Sequence, residues 1–311
     1  PGMTVEPELP DALVRKAAVF TDTAIVSFSR FSGENWDRKA AFDPQTTHKN
    51  ASMELVNTLG EIFEDGDFYL SHAEKSMLDK VCAAFDRVIV VLNTGAVMET
   101  ASLKANPAID SVLLAWQGGL EGGLAAAELL MGMDSPSGKL ADSFARELAD
   151  YPSSDSFFVS DDYVEYTEDI YVGYRYFNTF APKAVAYPFG FGLSYTTFDF
   201  KDMEITPAEG GWNVSVTVAN TGKVAGKDVV QIYVKAPKGE LDKPERELKG
   251  FAKTPELAPG ESCTVSIHVT KESLASYDES KSAWVIDSGK YTFVAAQDAM
   301  DNSLKKSVKV E

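Results

Sequence analysis

The stretch Ser27–Lys39, "SFSRFSGENWDRK", places charged side chains directly after an apolar run. Glu34 stands in a serine–glycine turn, with Arg30, Asp37 and Arg38 close to it in sequence. Such a glutamate can be a solvated loop residue, or it can be a proton donor held over a cleft. In the second case the turn glycine would let the backbone approach a ligand closely, and the carboxyl group would act as a general acid.

The elements around this turn alternate between strands and helices. Three short apolar runs predict strands, and three segments predict helices: strands at Asp22–Ser29, Arg87–Asn93 and Ile109–Trp116, and helices at Ser71–Asp86, near Val97–Ala105 and at Gly118–Gly132. Ser71 and Glu74 have the spacing of a capping box. Apolar strands separated by helices indicate a mostly parallel sheet sandwiched by helices. Ligands of such sheets gather beyond the carboxyl ends of the strands, which is where Glu34 would lie.

The second half of the chain has a different period. Residues alternate in Trp212–Asn220, and further strands are predicted at Asp228–Lys235, Cys263–Thr270 and Lys290–Ala296. Short alternating strands separated by turn residues are typical of an antiparallel β-sandwich. We therefore predict an α/β domain over residues 1–197 and an all-β domain over 198–311.

Composition excludes several function classes. The 311 residues carry a formal net charge of −18, which argues against nucleic acid and anionic membranes as partners. No apolar stretch approaches the ~20 residues of a membrane helix, and the absence of a signal-peptide pattern leads us to expect a cytoplasmic protein. Two cysteines exclude a disulfide framework, and three histidines without a cluster make a zinc site unexpected.

Two other segments invite a functional interpretation. The glycine pairs of "GGLEGG" (Gly118–Gly123) could cradle a phosphate before a helix, but the spacing favours tight packing instead. A tyrosine-rich segment, Ser153–Tyr187, fits neither period. Its tyrosines, among them Tyr163, Tyr166, Tyr171 and Tyr174, would either line a sugar site or staple two domains together.

Several segments taken together resemble glycoside hydrolase family 3, the β-glucosidase group. The stretch "SRFSGENWDR" is similar to the loop of that family that carries a catalytic glutamate. Further similar segments are "VIVVLNTGAVMET", Val112–Phe144, "EYTEDIYVGYRYF" (Glu165–Phe177), "YPFGFGLSYTTF" (Tyr187–Phe198) and, resembling its fibronectin type III-like domain, Glu245–Ser262. The resemblance covers nearly the whole chain. It implies that the α/β domain is truncated at its N-terminus, because in the family this domain normally begins with at least one earlier strand.

The resemblance implies a retaining mechanism without cofactor or metal, on a β-glucoside or oligosaccharide. It assigns the general acid/base role to Glu34, and we expect six further residues to bind substrate or support the loop: Arg30, Ser32, Asp37, Arg38, Tyr166 and Tyr171. Two positions depart from the usual pattern, because the family commonly has glycine at Asn35 and often at Asp169. The family's nucleophile lies on a (β/α)₈ barrel domain, which this sequence lacks. We therefore expect a piece of a longer enzyme with that barrel as its partner, nearly inactive when isolated, and we leave a homodimer open.

Two alternatives remain at this stage. The chain could be a non-catalytic carbohydrate-binding or structural and dimerisation module. It could also belong to a phosphate-dependent or amino-sugar variant of the family, since the residues that decide this would lie on the barrel. If Glu34 were only a loop residue, Glu165 and Glu168 would be the next proton donors to test.

Overall fold

The computed structural model describes residues 8–30, 62–156, 160 and 162–311. These residues form two compact units. The first contains the described residues of 1–126 and 144–164, and the second contains those of 127–143 and 165–311. Within the described ranges, no helix has the length and apolar character needed to cross a membrane.

A parallel three-stranded sheet forms the centre of the first unit. Its strands, in spatial order, are β1 (Thr23–Arg30), β2 (Arg87–Thr94) and β3 (Ser111–Leu114). The other elements along this part of the chain are α1 (Asp11–Phe20), α2 (His72–Ala84), α3 (Ala101–Ala105), α4 (Gly122–Leu130), which runs across the sequence boundary between the units, and β4 (Phe144–Ala145). The predicted α/β class of this half is confirmed.

One face of this sheet carries the buried side chains. Val26 and Phe28 of β1 lie beside Val88, Val90 and Leu92 of β2, all buried. Helix α2 completes the cluster with Leu78 and Val81. On the opposite face of β1, Ile25 is exposed. The core of this unit therefore lies between the sheet and α2.

Helix α2 begins at the predicted capping box. The Ser71 hydroxyl accepts a hydrogen bond from the Glu74 N–H at 3.2 Å, and a Glu74 carboxylate oxygen accepts one from the Ser71 N–H at 2.9 Å. Two of the helix's otherwise unsatisfied N–H groups are thereby paired. This prediction is confirmed.

The second unit is dominated by antiparallel β-structure. Its elements in chain order are α5 (Tyr174–Phe180), β5 (Val185–Tyr187), β6 (Phe198–Ala208), β7 (Gly211–Asn220), β8 (Val229–Lys235), β9 (Glu247–Lys253), β10 (Ser262–Thr270), β11 (Ser276–Asp278), β12 (Ala283–Val285), β13 (Gly289–Ala296) and β14 (Leu304–Val310). One sheet has the strand order β10–β7–β6 and the other has the order β14–β13–β8–β9. The predicted all-β class of this half is confirmed.

The buried residues of the sandwich core follow the alternating apolar pattern predicted from the sequence. Val214, Val216 and Val218 of β7 are fully buried, and they pack in one cluster with Ile232 of β8 and Phe293 of β13. Each such side chain contributes ~2 kcal/mol when it leaves water. Residues 127–143 and 165–197 belong to the same compact unit as the sandwich. The predicted boundary between residues 197 and 198 separates two sequence modules, and it stays a prediction.

A buried glutamine connects the sandwich to the segment before it. The Gln231 amide nitrogen donates to the carbonyl oxygens of Gly190 (3.1 Å) and Gln297 (2.6 Å). The Tyr233 hydroxyl donates to the Gln231 amide oxygen at 2.6 Å. Gly190 has φ +82°, and a Cβ placed there would lie 2.0 Å from that oxygen. Only glycine fits this position.

Replacing Gly190 with alanine is expected to lower the free energy of unfolding of the second unit by about 2–4 kcal/mol. The left-handed backbone accounts for about 1–2 kcal/mol of the loss, and displacing Gln231 from buried hydrogen bonds accounts for the rest. The measurement is denaturant unfolding monitored by hydrogen exchange of β8 amides. Gly210→Ala is the matched control, because Gly210 has φ +70° but nothing within 4 Å of the added Cβ. Equal losses in the two variants would contradict the steric part of this explanation.

The hairpin β11–β12 contains a carboxylate whose ionised form is strongly favoured. Hydrogen bonds from the Lys281 ammonium (2.7 Å) and the Ser280 hydroxyl (2.6 Å) lower the pKa of Asp278 from its ordinary 3.8 to about 2. Since the pKa is lower in the folded state, ionised Asp278 stabilises the fold above about pH 4. That stabilisation is lost as the pH falls from 4 towards 2.

We expect an NMR titration of the Asp278 carboxyl carbon to give a midpoint near pH 2. In the Lys281→Met variant, which lacks the principal hydrogen-bond donor, the midpoint should move up towards 3.8. The stability difference between Asp278→Asn and the original chain should shrink over the same pH range. A midpoint near 3.8 in the original chain would refute the prediction.

Candidate active site

The residue predicted to donate the proton, Glu34, lies outside the described residues, as do Ser32, Asp37 and Arg38. The described chain reaches Arg30, four positions before Glu34, and resumes at residue 62. The structure therefore describes two parts of the candidate site: the sheet edge at which β1 ends, and the contacts that hold this strand end.

The carboxyl ends of the three parallel strands come level with one another. Arg30 at the end of β1 is in register with Thr94 at the end of β2, and Leu92 is in register with Leu114 of β3. Directly after β3, the Ala115 N–H still donates to the Leu92 carbonyl oxygen at 2.9 Å. Because neighbouring strands lie ~4.8 Å apart, about 10 Å separates the ends of β1 and β3 across the sheet.

The guanidinium group of Arg30 is hydrogen-bonded on all sides. Its side chain forms a two-pronged ion pair with the Glu74 carboxylate, at 2.8 and 2.6 Å. The remaining N–H groups donate to the carbonyl oxygens of Ser29 (2.9 Å), Asp67 (2.8 Å) and Tyr69 (2.8 Å). All five donors of the guanidinium are thus used inside the protein, and the residue is 3% exposed. This supports the loop-support role for Arg30 and leaves no donor for a substrate.

The same glutamate serves two purposes. Glu74 pairs with Arg30 and also completes the capping box at the start of α2. The end of β1 and the beginning of α2 are therefore fixed to each other by one carboxylate. This firmly fastened strand end is what leads into the segment that carries Glu34.

Trp116 is a feature of this edge that the sequence reasoning did not single out. Its backbone has φ +51°, which is rare for a bulky residue and costs of order 1–3 kcal/mol. Its half-buried ring meets Phe144 edge-on, with 6.1 Å between centroids. Strain of this kind concentrates at functional sites. The signal in the sequence was a tryptophan placed between an apolar strand and a pair of glycines.

The "GGLEGG" segment follows directly. A Cβ on Gly118 would lie 2.7 Å from the Gly122 Cα, so the first glycine permits the loop to close tightly against the start of α4. This close approach supports the packing interpretation of these glycines over a phosphate cradle.

A second cluster of polar residues in the first unit surrounds Tyr69. Its hydroxyl donates to the Glu147 carboxylate (3.1 Å) and accepts from the Leu148 N–H (3.2 Å). Burial raises the pKa of Tyr69, and the charges of Glu147 and Glu99 raise it further. Glu99, in the loop after β2, is itself buried and accepts from the Ser102 N–H at 2.7 Å. The carboxylates of Glu147 and Glu99 form local hydrogen bonds, and no sequence motif indicated these residues.

The two predicted tyrosines, with Glu165 and Glu168, belong to the second unit. Tyr166 is 91% exposed, whereas the Tyr171 ring packs on Phe180 with 4.7 Å between centroids. Burial raises the pKa of Tyr171, and the nearby carboxylates of Asp242 and Asp169 add to this effect. Among the residues that the structure describes, no three His, Cys, Asp or Glu side chains are grouped to hold a metal ion.

Comparison with known families decides the classification. Residues 9–195 match the family model described as the glycosyl hydrolase family 3 C-terminal domain. The chain belongs to this family. Residues 228–299 match the fibronectin type III-like domain model. The resemblance drawn from the loop and turn motifs is therefore confirmed.

The relatives of this family 3 chain are longer proteins. It is 49% identical to beta-glucosidase A of Butyrivibrio fibrisolvens, over 98% of the chain but 39% of the relative. It is 39% identical to a beta-glucosidase of Ruminococcus albus, over 96% of the chain and 29% of the relative. Beta-glucosidase 3B from Thermotoga neapolitana, solved with alpha-D-glucose, shares its fold with a TM-score of 0.84 and 37% identity, over 99% of the chain and 40% of that structure.

One departure from the family pattern has a structural explanation. Asp169 has φ +47°, in the left-handed region that glycine occupies at no steric cost. Aspartate tolerates this region better than most residues do. Asp169 therefore occupies a backbone conformation that favours glycine, and it places an exposed carboxylate on the family 3 chain.

Proposed function

We propose that this chain is the part of a retaining β-glucosidase that supplies the general acid/base, Glu34. The nucleophilic carboxylate would come from a (β/α)₈ barrel domain of the same enzyme. Family 3 membership and the beta-glucosidase names of its relatives support glycoside hydrolysis. The finer assignment of Glu34 rests on the match of "SRFSGENWDR" to the family's catalytic loop.

The proposed reaction has two steps. Glu34 first protonates the departing aglycone oxygen while the barrel carboxylate attacks the anomeric carbon. Glu34 then removes a proton from the incoming water, which releases the sugar with its configuration retained. Retaining enzymes need their two carboxyl groups ~5–5.5 Å apart, so the loop that carries Glu34 must be placed to within a fraction of an ångström.

The observation that carries the proposal is the fastening of the strand end four residues before Glu34. A guanidinium with all five donors used, next to the functional edge of a parallel sheet, is the kind of support that precise placement requires. Asp37 and Arg38 would modulate the charge around Glu34. Tyr166 and Tyr171 would offer ring faces to the aglycone.

The product formed with azide tests the proposal. In the complete enzyme carrying Glu34→Ala, azide should replace water and yield a β-glucosyl azide, because no side chain remains to activate water. NMR of the product identifies its anomeric configuration. Formation of an α-azide, or of no azide adduct by a variant of unchanged rate, would contradict the assignment.

A non-catalytic module is the competing proposal, and an exposed aromatic ring on the sandwich gives it one supporting observation. Trp284 is 71% exposed there, as a ring that binds a sugar face would be. Turnover by the complete enzyme that is unaffected by removal of the Glu34 carboxylate would favour it. The isolated chain is expected to hydrolyse aryl β-glucosides no faster than buffer in either case.

A further inference from the structure

A small cleft lies in the second unit, between two loops and the ends of two sandwich strands. Its lining comes from the turn at residues 136–139, from residues 192–198, from Lys227 and Asp228 before β8, and from Gln297 after β13. The cleft has a volume of about 140 Å³. Sites for drug-sized ligands have ~300–1,000 Å³, so this cleft has room for one small molecule. The proposed function makes no use of either loop.

Backbone contacts hold the two loops of the cleft together. The Leu140 N–H donates to the Phe191 carbonyl oxygen, and the Gly190 N–H donates to the Leu140 carbonyl oxygen, both at 2.8 Å. A Cβ on Gly192 would lie 2.1 Å from the Gly138 carbonyl oxygen, so this close approach of the loops requires glycine. The walls of the cleft are therefore already in place, and a ligand would not bear the entropic cost of ordering them.

A buried ion pair forms one wall of the cleft. Lys139 Nζ lies 2.8 Å from Asp228 Oδ1, and the two side chains are 14% and 5% exposed. Lys139 Nζ also donates to the Gly192 carbonyl oxygen at 3.1 Å, which leaves one of its three N–H groups. Asp228 Oδ2 accepts only a long hydrogen bond within the described part of the chain, from Gln297 Nε2 at 3.5 Å. Both partners of the ion pair therefore retain hydrogen-bonding capacity.

Three lining side chains have a polar atom that makes no hydrogen bond or ion pair with any residue that the structure describes. These atoms are the ammonium of Lys227, the hydroxyl of Ser137 and the amide oxygen of Gln297. Phe198 and Leu193 add apolar surface to the lining. The cleft thus combines hydrogen-bond donors, hydrogen-bond acceptors and an apolar wall.

This combination selects among small ligands. An anion would be attracted by the two lysines but would meet the Asp228 carboxylate, and a cation would meet two ammonium groups. A neutral molecule with adjacent hydroxyls avoids both conflicts, because each hydroxyl donates one hydrogen bond and accepts others. Its hydroxyls could donate to Asp228 and Gln297 and accept from Lys139 and Lys227.

We propose that this cleft binds a single pyranose sugar. The sugar hydroxyls contact the ion pair, Lys227 and Gln297, and the C–H face of the ring packs against Phe198, as in sites that combine an apolar lining with a few polar groups. The inference goes beyond the proposed function and does not depend on Glu34, because every residue of the cleft belongs to the second unit.

An NMR titration of this chain with D-glucose tests the proposal. The side-chain amide signal of Gln297 should shift saturably with a Kd of the order of 1 mM, as expected for a ligand of this size. The side-chain amide of Asn302, exposed on the same unit, is the internal control and should not shift. A Gln297 signal that does not saturate would overturn the proposal. Glycerol that saturates it as tightly as glucose does would refute a pyranose site, and tighter binding of sulfate would show an anion site instead.

A lysine variant provides the second measurement. Lys227→Met should raise the Kd for glucose about tenfold, the loss expected for a hydrogen bond to a charged group. The fold should tolerate this change, because the Lys227 ammonium has no partner among the described residues. Lys223→Met, which changes an exposed lysine outside the cleft, is the matched control and should leave the Kd unchanged. Equal Kd values in the two variants would overturn the proposal.

Discussion

In the complete enzyme, Glu34→Gln is expected to lower kcat/KM about 10²- to 10⁴-fold for glucosides with poorly leaving alcohols, which is the usual contribution of a general acid. Glutamine keeps the size and polarity of the side chain but cannot donate a proton. For activated aryl glucosides, whose phenolate leaves without protonation, the first step should be nearly unaffected. The measurement is the dependence of kcat/KM on the leaving-group pKa, which should become much steeper in the variant.

The pH profile provides an independent check of this variant. The alkaline limb of kcat/KM reports ionisation of the acid in the free enzyme, so it should disappear in Glu34→Gln. Glu204→Gln, which changes an exposed carboxylate of β6, is the matched control and should leave rate and profile unchanged. If Glu34→Gln behaves like the control and Glu165→Gln or Glu168→Gln loses the limb, the proton donor is one of those residues.

Arg30→Met should destabilise the first unit by about 3–5 kcal/mol, because it leaves the Glu74 carboxylate and three carbonyl oxygens without their buried partner. Glu74 retains 20% side-chain exposure, which places the expected value near the lower end. Since the chain has two compact units, a single unfolding midpoint would mix them. Hydrogen exchange of β1 and β2 amides measures the loss in the relevant unit.

The exposed ion pair between Arg87 and Asp22 supplies the control on the neighbouring strand. Its atoms are 3.8 Å apart and its side chains are 67% and 56% exposed. Arg87→Met should therefore change stability by no more than about 0.5 kcal/mol. Combining Arg30→Met with Glu74→Leu should recover part of the loss, since no unpaired charge remains. An Arg30→Met effect as small as that of Arg87→Met would show that the ion pair contributes little.

Local patterns in the sequence predicted the elements well. The Ser71 capping box and the buried valines of β7 depend on residues within one turn or one strand, so their spacing alone specifies them. The family loop around Glu34 was recognisable because its residue types are specific. The assignment of Glu34 itself remains a prediction.

What the sequence could not predict arises from contacts between distant residues. Arg30 and Glu74 are 44 positions apart, and periodicity carries no information about such pairs. The sequence leaves substrate binding and loop support open for Arg30, because a cation beside a catalytic loop fits either role. The left-handed backbone of Trp116 was equally hidden, since tryptophan has no preference for positive φ. Both features depend on how the carboxyl edge of the sheet is assembled.

The hydrogen bonds of Arg30 have a consequence for redesigning the segment that follows β1. One side chain holds the end of β1 and, through the carbonyl oxygens of Asp67 and Tyr69, the chain 37 and 39 positions later. The two ends of the intervening sequence are thus joined whatever its length. In general, doubling the length of chain between two joined ends costs only ~0.6 kcal/mol in closure entropy. Segments exchanged between relatives at these two points should therefore leave the parallel sheet of the first unit folded.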